Sequence, residues 1–344
     1  MNVFFFPINP FRSNGYSIAV KNDLSKLQID QNDLIVWYEY TNDTFYGNDV
    51  VLLRPPKFAI SRIVKVLQNH INCEVTAGDL KQLDLKQVND VFCGDVIFYR
   101  AVRELFPTKR ITVRFHNCFA RIQDRIRLLG NKVNLKFRVQ MRAYYQLEKE
   151  IFNDSNVHKV FISEEDRDYY CSMFGKRSDS EVWGFCPDMN KAVSARIDSK
   201  KTKLVHYGGL QTHKIDSLKW FINDVFIPLH LHKPNVEFHL WGAGSEAFDN
   251  PGRGIFGHGF YKGDGMPLVD DGLFVNPDLI GGGVKIKLID YFEKGASFIT
   301  TPFGFEGYPL DYIDNKFYYM VEPDEWLPFL KQYFRDCREM LKIS

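Results

Sequence analysis

Three consecutive glycines, Gly281, Gly282 and Gly283, stand directly before an amphipathic helical pattern that carries Lys285, Lys287 and Asp290 and ends at Gly295. A helix start presents unpaired N–H groups and a partial positive charge, so it receives an anion when no side chain blocks the approach. Glycines clear that approach, and the two lysines add charge. Counted as helix from Gly283, Asp290 lies two turns on and on the same side, about 10 Å along the axis at the standard rise. That is the reach from a diphosphate to a ribose, whose two hydroxyls a carboxylate can accept, as the acidic residue of dinucleotide folds does. The alternative is a tight glycine loop, with Asp290 paired to Lys287 or Lys294 on a wet surface as helix spacing permits. The stretch taken alone leaves both open.

Such a site needs strands and helices to hold it, and the chain supplies them in two series. The 344 residues exceed what one hydrophobic core usually organises. From residue 1 to about 180, the apolar runs VFFFPI, NDLIVWYEY, DVVLLRP, DVIFYRAV, ITVRFHN and KVFIS alternate with helix-like stretches, the pattern of βαβ units and a mostly parallel sheet. The pattern fails between Phe174 and Lys203, a polar stretch with glycine and proline. A second α/β series follows: KLVHYGGL, a helix over about 214–231, then VEFHLWGAG, GIFGHG, GLFVNP, the glycine-opened helix and SFITTP. The expected division is a first domain over 1–183, a linker over 184–202, a second domain over 203–325 and a terminal helix over 326–344, apolar at 326, 327, 330, 333 and 334.

Composition narrows the class. Hydrophobic residues make up 45%, charged residues 25% and the formal net charge is +1, which describes an ordinary globular protein rather than a disordered one. Apolar runs such as Val91 to Tyr99 are too short to span a bilayer, and MNVFFFPINP lacks the positive region and cleavage site of a signal peptide. The six cysteines, Cys73, Cys93, Cys118, Cys171, Cys186 and Cys337, show no metal-ligand or disulfide spacing, so a reducing cytoplasm is expected.

Residues 203–308 resemble the C-terminal half of retaining GT-B glycosyltransferases, the large family that includes bacterial polysaccharide and lipid-glycan transferases. The shared pieces are a strand ending in glycine before a helix (LVHYGGLQTHKIDSLKWF), a strand ending in GxG (LWGAG), a glycine-bearing strand (FGHGF), then FVNP, the glycine-rich turn, VKxK, an acidic residue and TPxGxEG. Their order and spacing over about a hundred residues carry the resemblance. It implies an α/β fold of two Rossmann-like domains facing each other across a cleft, with a nucleotide-diphosphate sugar as donor substrate and no cofactor. Main-chain N–H groups of Gly281, Gly282, Gly283 and Val284 would meet the diphosphate, Lys285 would neutralise it and Asp290 would hold the ribose. His213 or Lys214 would be the further basic residue at the phosphates, and main chain near Gly257, His258 and Gly259 would read the base. Gly242 and Gly244 would serve tight strand exits. The family's Glu-x7-Glu pair falls on Gly282 and Asp290, so its first carboxylate is missing. The segment YKGDGMPLVDD is also short for the small helix the family carries there.

For the first half, the resemblance places Gly15, after turn formers Ser13 and Asn14, beside the diphosphate, and His116, at a strand end, next to the transferred sugar. An ordinary βα loop and a structural histidine are the competing readings. From Lys109 to Arg142 ten basic residues accompany one acidic residue, Asp124, interleaved with apolar ones; such a segment can rest on anionic lipid headgroups. A solvated basic face is the alternative, and no nucleic-acid motif accompanies the charges. Ser163 is expected to cap a helix with Asp166 at its third position, so the string Asp166, Asp168 reads as capping and no metal site is expected. Together these expectations describe a transferase moving a sugar to a hydroxyl of a glycan or lipid-linked acceptor with retention, in surface polysaccharide synthesis, in the cytoplasm or on the inner membrane face. His116, Lys285 and Asp290 would act in catalysis by orientation and leaving-group stabilisation. The alternatives are a nucleotide-sugar epimerase of similar fold and a catalytically silent sugar-nucleotide or glycan-binding partner subunit.

Overall fold

The structure, a computed structural model, describes residues 1–7, 15–38, 50–53, 71, 74–81, 83, 85, 87–128, 135–175, 179–184, 201–210, 212–263, 266–279, 284–308 and 318–339. For residues 15–17, 50–53, 126–128, 135–137, 212–214 and 335–339 only the backbone is described. The chain forms two compact units, Met1–Phe185 and Cys186–Ser344. Of the expected linker, only Gly184, Lys201 and Thr202 lie among the described residues.

In the first unit, strands β1 (Val3–Phe6), β2 (Leu34–Tyr38), β3 (Val50–Leu53), β4 (Val91–Cys93), β5 (Ile111–Phe115), β6 (Val157–Phe161) and β7 (Ser180–Val182) form one sheet in the order β3-β2-β1-β4-β5-β6-β7. Every neighbouring pair is parallel. A parallel sheet is covered on both faces, which is why β1 reads as the unbroken apolar run VFFF. Val3 and Phe5 join one core cluster with Cys93, Val113 and Phe115, and with Met141, Leu147 and Ile151 of the helix Leu135–Asn153. Phe4, Phe6, Trp37 and Phe92 face the other way, onto Val20 and Leu24 of the helix Gly15–Lys26.

One expected strand is a helix. In DVIFYRAV, Asp95 accepts the Ile97 N–H at 3.0 Å and starts a 3-10 turn, Val96–Phe98, that runs into the helix Tyr99–Leu105. The strand is the preceding VFC. Val96, Ile97, Phe98 and Tyr99 are buried without a break, so the run opens like a strand, and the helical period shows only in Arg100, Arg103 and Glu104 beyond it. Strand β7 falls where the sequence pattern lapses, and it is only three residues long. Ser163 caps the helix Glu164–Phe174 as the sequence suggests, its Oγ accepting the Asp166 N–H at 3.1 Å.

The second unit repeats the plan. Strands β8 (Lys203–Tyr207), β9 (Glu237–Trp241), β10 (Ile255–Gly257), β11 (Gly272–Asn276), β12 (Phe298–Thr300) and β13 (Tyr318–Met320) lie in the order β10-β9-β8-β11-β12-β13, all parallel. After β8 the helical run Thr212–His232 changes register at Phe221–Phe226, where the Ile227 N–H reaches back five residues to the Ile222 carbonyl. Pro228 follows at once, and its missing N–H explains why the α pattern is relaxed there. Trp326, Leu330 and Phe334 of the helix Trp326–Glu339 are buried in the same core as Phe221, Phe238 and Leu240. The segment expected as a separate terminal helix is therefore part of the second unit's core. Between β10 and β11 no helix occurs among the described residues.

Candidate functional site

In each sheet the chain first builds strands to one side, then crosses back to build the other, so the order reverses between β1 and β4 and between β8 and β11. Crevices at the carboxyl ends of strands flanking such a reversal are where open α/β sheets take ligands.

At the reversal of the second unit, β8 ends in Tyr207 and Gly208. Gly208 has φ +141, and a β-carbon on it would stand 3.7 Å from the Lys287 side chain. Gly242, after β9, has φ +135, and a β-carbon there would meet the Gly208 carbonyl oxygen at 2.2 Å. Only glycine lets the two strand exits touch. The end of β11 is tied down by buried polar groups. Asn276 Nδ2 donates to Thr300 Oγ1 at 3.0 Å and to the Gly304 carbonyl at 3.2 Å, Thr301 Oγ1 donates to the Asp278 carbonyl at 2.6 Å, and the Leu279 N–H donates to Ser217 Oγ at 3.0 Å.

Gly281, Gly282 and Gly283, the centre of the expected phosphate site, lie outside the described residues, as do the side chains of His213 and Lys214. The flanks are described. The helix is Lys287–Glu293 and Asp290 is in its first turn, so three residues, Val284 to Ile286, separate it from the glycines and the expected two-turn spacing does not occur. Val284 and Lys285 are buried, Tyr308 Oη donates to the Lys285 carbonyl at 3.0 Å, and this anchored lead-in holds the chain out of helical form before residue 287. Lys285 Nζ stands over the Phe303 ring, 4.2 Å from its centre. Lys287 Nζ lies 3.1 Å from Asp278 Oδ2, so Lys287, one of the two surface partners for Asp290 under the alternative reading, pairs instead with a buried carboxylate.

Asp290 is half-buried, and burial, then the Glu293 charge, raise its pKa while Lys294 opposes them. Its charge is among the causes that raise the Tyr207 hydroxyl, after burial, and Tyr261 adds to them. From there a row of rings follows the strand ends. Tyr207 packs edge-on to Tyr261 (6.4 Å), Tyr261 edge-on to Trp241 (5.3 Å), and Trp241 stacks on His258 (4.0 Å, 13°). The row ends at His258, and at its other end Tyr291 Oη, next in the chain to Asp290, donates to the Tyr207 carbonyl at 3.1 Å. Tyr207, Tyr261 and Trp241 were not anticipated, although the pairing of KLVHY with EFHLW places Tyr207 and Trp241 side by side in register.

The expected base-reading loop is internally bonded. The Gly257 N–H donates to Asp249 Oδ1 at 2.9 Å, the His258 N–H to the Leu240 carbonyl at 2.9 Å and the Gly259 N–H to Ser245 Oγ at 2.8 Å. All three donors are engaged, which leaves acceptors for recognition there.

In the first unit, Gly15 opens the helix Gly15–Lys26, and the turn formers before it lie outside the described residues. His116 directly follows β5 and is buried, its Nε2 3.3 Å from Asp23 Oδ2. Arg114, also fully buried, donates from Nε to Asp23 at 3.1 Å, from Nη1 to the Phe161 carbonyl at 2.6 Å and from Nη2 to the Trp183 carbonyl at 2.8 Å. Burial, then the Arg114 charge, hold the His116 pKa well below its ordinary value against a Gly94 main-chain hydrogen bond. Burial raises Asp23 to about 6 despite Arg114 and Lys26. His116 is therefore a neutral imidazole oriented by a carboxylate, enclosed within its unit.

Among the described basic residues in 109–142, Lys109 bonds the Val88 and Asn89 carbonyls, Arg110 pairs with Asp179, Arg114 with Asp23 and Arg121 with Asp166, and Arg125 is engaged as well. Lys132 and the side chains of Arg127 and Lys136 lie outside the described residues; Arg138 and Arg142 are exposed. Asp166 is buried against Arg121 whereas Asp168 is exposed, so the two carboxylates do not converge. Among the described residues no helix is long and apolar enough to cross a membrane.

No family model matches the chain, and no curated protein sequence does. Its fold has clear neighbours among solved structures. WaaG, a glycosyltransferase involved in lipopolysaccharide biosynthesis, aligns over 97% of this chain and 90% of its own at 12% identity, with a TM-score of 0.59. HepE of Anabaena, solved with UDP, aligns over 98% and 90% at 11% identity and a TM-score of 0.56, and it has also been solved with UDP-glucose. The α,α-trehalose 6-phosphate synthase of Burkholderia multivorans aligns over 98% and 90% at 12% identity and 0.55. The chain has the two-unit α/β fold of these GT-B glycosyltransferases.

Proposed function

We propose that the chain is a glycosyltransferase that takes a sugar from a nucleotide-diphosphate donor and passes it, with retention, to a hydroxyl of a glycan or lipid-linked acceptor. The observation that carries this reading is the row Tyr207, Tyr261, Trp241 and His258 at the carboxyl edge of β8, β9 and β10, with the helix of Asp290 tied to it where Tyr291 Oη donates to the Tyr207 carbonyl at 3.1 Å, beside the order reversal of a sheet in the GT-B fold. Asp290 is the ribose acceptor, Gly281 to Val284 supply main-chain donors to the diphosphate, and the leaving nucleotide's charge is stabilised by those donors. Lys285 contributes if its ammonium leaves the Phe303 ring. Gly15 lies beside the diphosphate in this reading, the enclosed His116 acts at most by holding the end of β5 in place, and catalysis consists of orientation and charge stabilisation with no covalent nucleophile. HepE's complexes with UDP and UDP-glucose support a nucleotide sugar as donor, and WaaG's role in lipopolysaccharide biosynthesis supports a surface-glycan product. Exposed Arg138 and Arg142, four apart on one helix face, are the residues through which a peripheral contact with anionic lipid would run.

A second reading, a silent sugar-nucleotide-binding partner, draws on Gly282 in place of a carboxylate and on the engagement of Lys285 and Lys287 with Phe303 and Asp278. A thermal-shift panel of UDP, GDP, ADP and dTDP sugars, followed by nucleotide release with and without a hydroxyl acceptor, separates them. The transferase shows stabilisation by one nucleotide class and acceptor-dependent release. Stabilisation without release supports the silent partner, and no stabilisation by any donor refutes both.

A further inference from the structure

His258 ends a hydrogen-bonded chain of three side chains on one face of β9 and β10. Glu237 Oε2 lies 3.1 Å from His239 Nε2, and His239 Nδ1 lies 2.9 Å from His258 Nε2. The two imidazole planes are 1° apart with centroids separated by 5.2 Å. Parallel rings can be no farther apart in plane than their nearest atoms, and 2.9 Å is below the roughly 3.5–4.0 Å of van der Waals stacking, so these rings meet edge to edge through an N–H···N bond.

Proton positions follow from what each group can do. A carboxylate only accepts, so His239 donates from Nε2 to Glu237. In neutral His239 the other nitrogen, Nδ1, is then the acceptor, so His258 donates to it from Nε2. Neutral His258 is left with a lone pair on Nδ1. Burial is the first cause lowering both histidines, and each is held in its neutral form near pH 7; Glu237 opposes this at His239 and Asp249 at His258, while Lys203 reinforces it at His239. Trp241, stacked on the His258 ring, fixes the plane in which that lone pair points. The three main-chain N–H groups of Gly257, His258 and Gly259 are engaged within the unit, so this strand end offers acceptors.

We infer that His258 Nδ1, its tautomer set by Glu237 through His239, is a specificity-determining acceptor that favours nucleobases with a ring N–H, such as uracil or guanine, over those with a ring lone pair in its place, cytosine or adenine. The inference rests on the donor-site reading above, since it needs the base at the end of β10. Uracil and cytosine, or guanine and adenine, present opposite hydrogen-bonding character at that ring nitrogen, so one fixed acceptor discriminates within either size class. A mismatch leaves two lone pairs facing each other.

The test is calorimetric titration of the full chain with UDP, CDP, GDP and ADP at pH 7.5. Within the size class that binds, the N–H-bearing nucleotide is expected to bind roughly tenfold or more tightly, the scale of one good hydrogen bond set against an unpaired group. His258→Phe keeps the stack on Trp241 and removes the acceptor, so the ratio should fall to near one. Glu237→Gln, at a half-exposed carboxylate outside the core, releases the tautomer and should narrow the ratio without loss of folding. Equal binding of UDP with CDP and of GDP with ADP by the native chain overturns the inference, as does a ratio that survives the variants; if His258→Phe does not fold, the Glu237→Gln ratio decides. If no nucleotide binds at all, the donor-site reading fails and the inference falls with it.

Discussion

The two sheets share one topology and differ in what stands at their carboxyl edges. At the edge of the first, Asp23, Arg114 and His116 are enclosed, and Arg114 joins the helix Gly15–Lys26 to the ends of β6 and β7. At the edge of the second, Asp290, Tyr207, Trp241 and Tyr261 are half-buried and His258 is exposed, the four rings in one row. Residue type does not distinguish them, since each edge has an Asp and a His. Burial does: a charge without access to solvent has to be matched by protein partners and becomes structural, whereas a half-buried one keeps a lone pair for a ligand.

If the first edge is structural, the largest effect in the molecule should come from opening it. Arg114→Met leaves Asp23 without its cationic partner and two carbonyls unmatched, and about 3–5 kcal/mol of stability should be lost, read as the urea midpoint of the first unit. A loss below 1 kcal/mol would mean the enclosure contributes little. The corresponding change at the second edge is Gly242→Ala, which forces a β-carbon onto the Gly208 carbonyl in a backbone region that disfavours it; about 1–3 kcal/mol should be lost, together with nucleotide binding. Retained binding would separate the glycine exits from the site.

Asp290→Ala should leave the unfolding midpoint nearly unchanged and weaken nucleotide binding by about 1–3 kcal/mol, the cost of hydrogen bonds to a charged group. A matching loss of stability would make Asp290 structural, like Asp23. Titration gives a further contrast. Glu148, fully buried, accepts the Phe119 N–H at 3.0 Å and the Ala120 N–H at 3.1 Å at the start of the helix Phe119–Leu128, and burial raises it to about 8. A carboxyl with a raised folded pKa holds its proton where the unfolded chain has lost it, so stability falls as pH rises from about 4.5 to about 8. Asp23 acts with the same sign, between 3.8 and about 6. His116 acts oppositely, losing stability as pH falls below 6.5. Between pH 6.5 and 8 Glu148 alone of these three contributes, with a slope approaching about 1.4 kcal/mol per pH unit. Urea unfolding across that window should show the fall, and Glu148→Gln should flatten it. The smallest expected change is Asp168→Ala, on an exposed carboxylate, within about 0.5 kcal/mol by the same unfolding assay.

Strands and helices with a polar edge or a cap were readable from sequence: β9 alternates, and Ser163 announces its helix. What was not readable depended on burial or distance. The run after Asp95 opens with four consecutive buried apolar residues that mask the helical period marked by Arg100, Arg103 and Glu104, and the glycine run promised a helix three residues before Lys285 permits one. The enclosure of His116 depends on Asp23, far away in the chain, and the engagement of Lys287 depends on Asp278, held by Thr301. Resemblance identified the fold; the row of rings from Tyr207 to His258 emerged only once β8, β9 and β10 were placed side by side.

The most direct test of the account is amide hydrogen exchange of the full chain with and without saturating UDP-glucose. Slowed exchange at residues 207–210, 241–244, 257–261 and 281–290 is the expected result. Slowing confined to Met1–Phe185, or none at a concentration where calorimetry records binding, would contradict it.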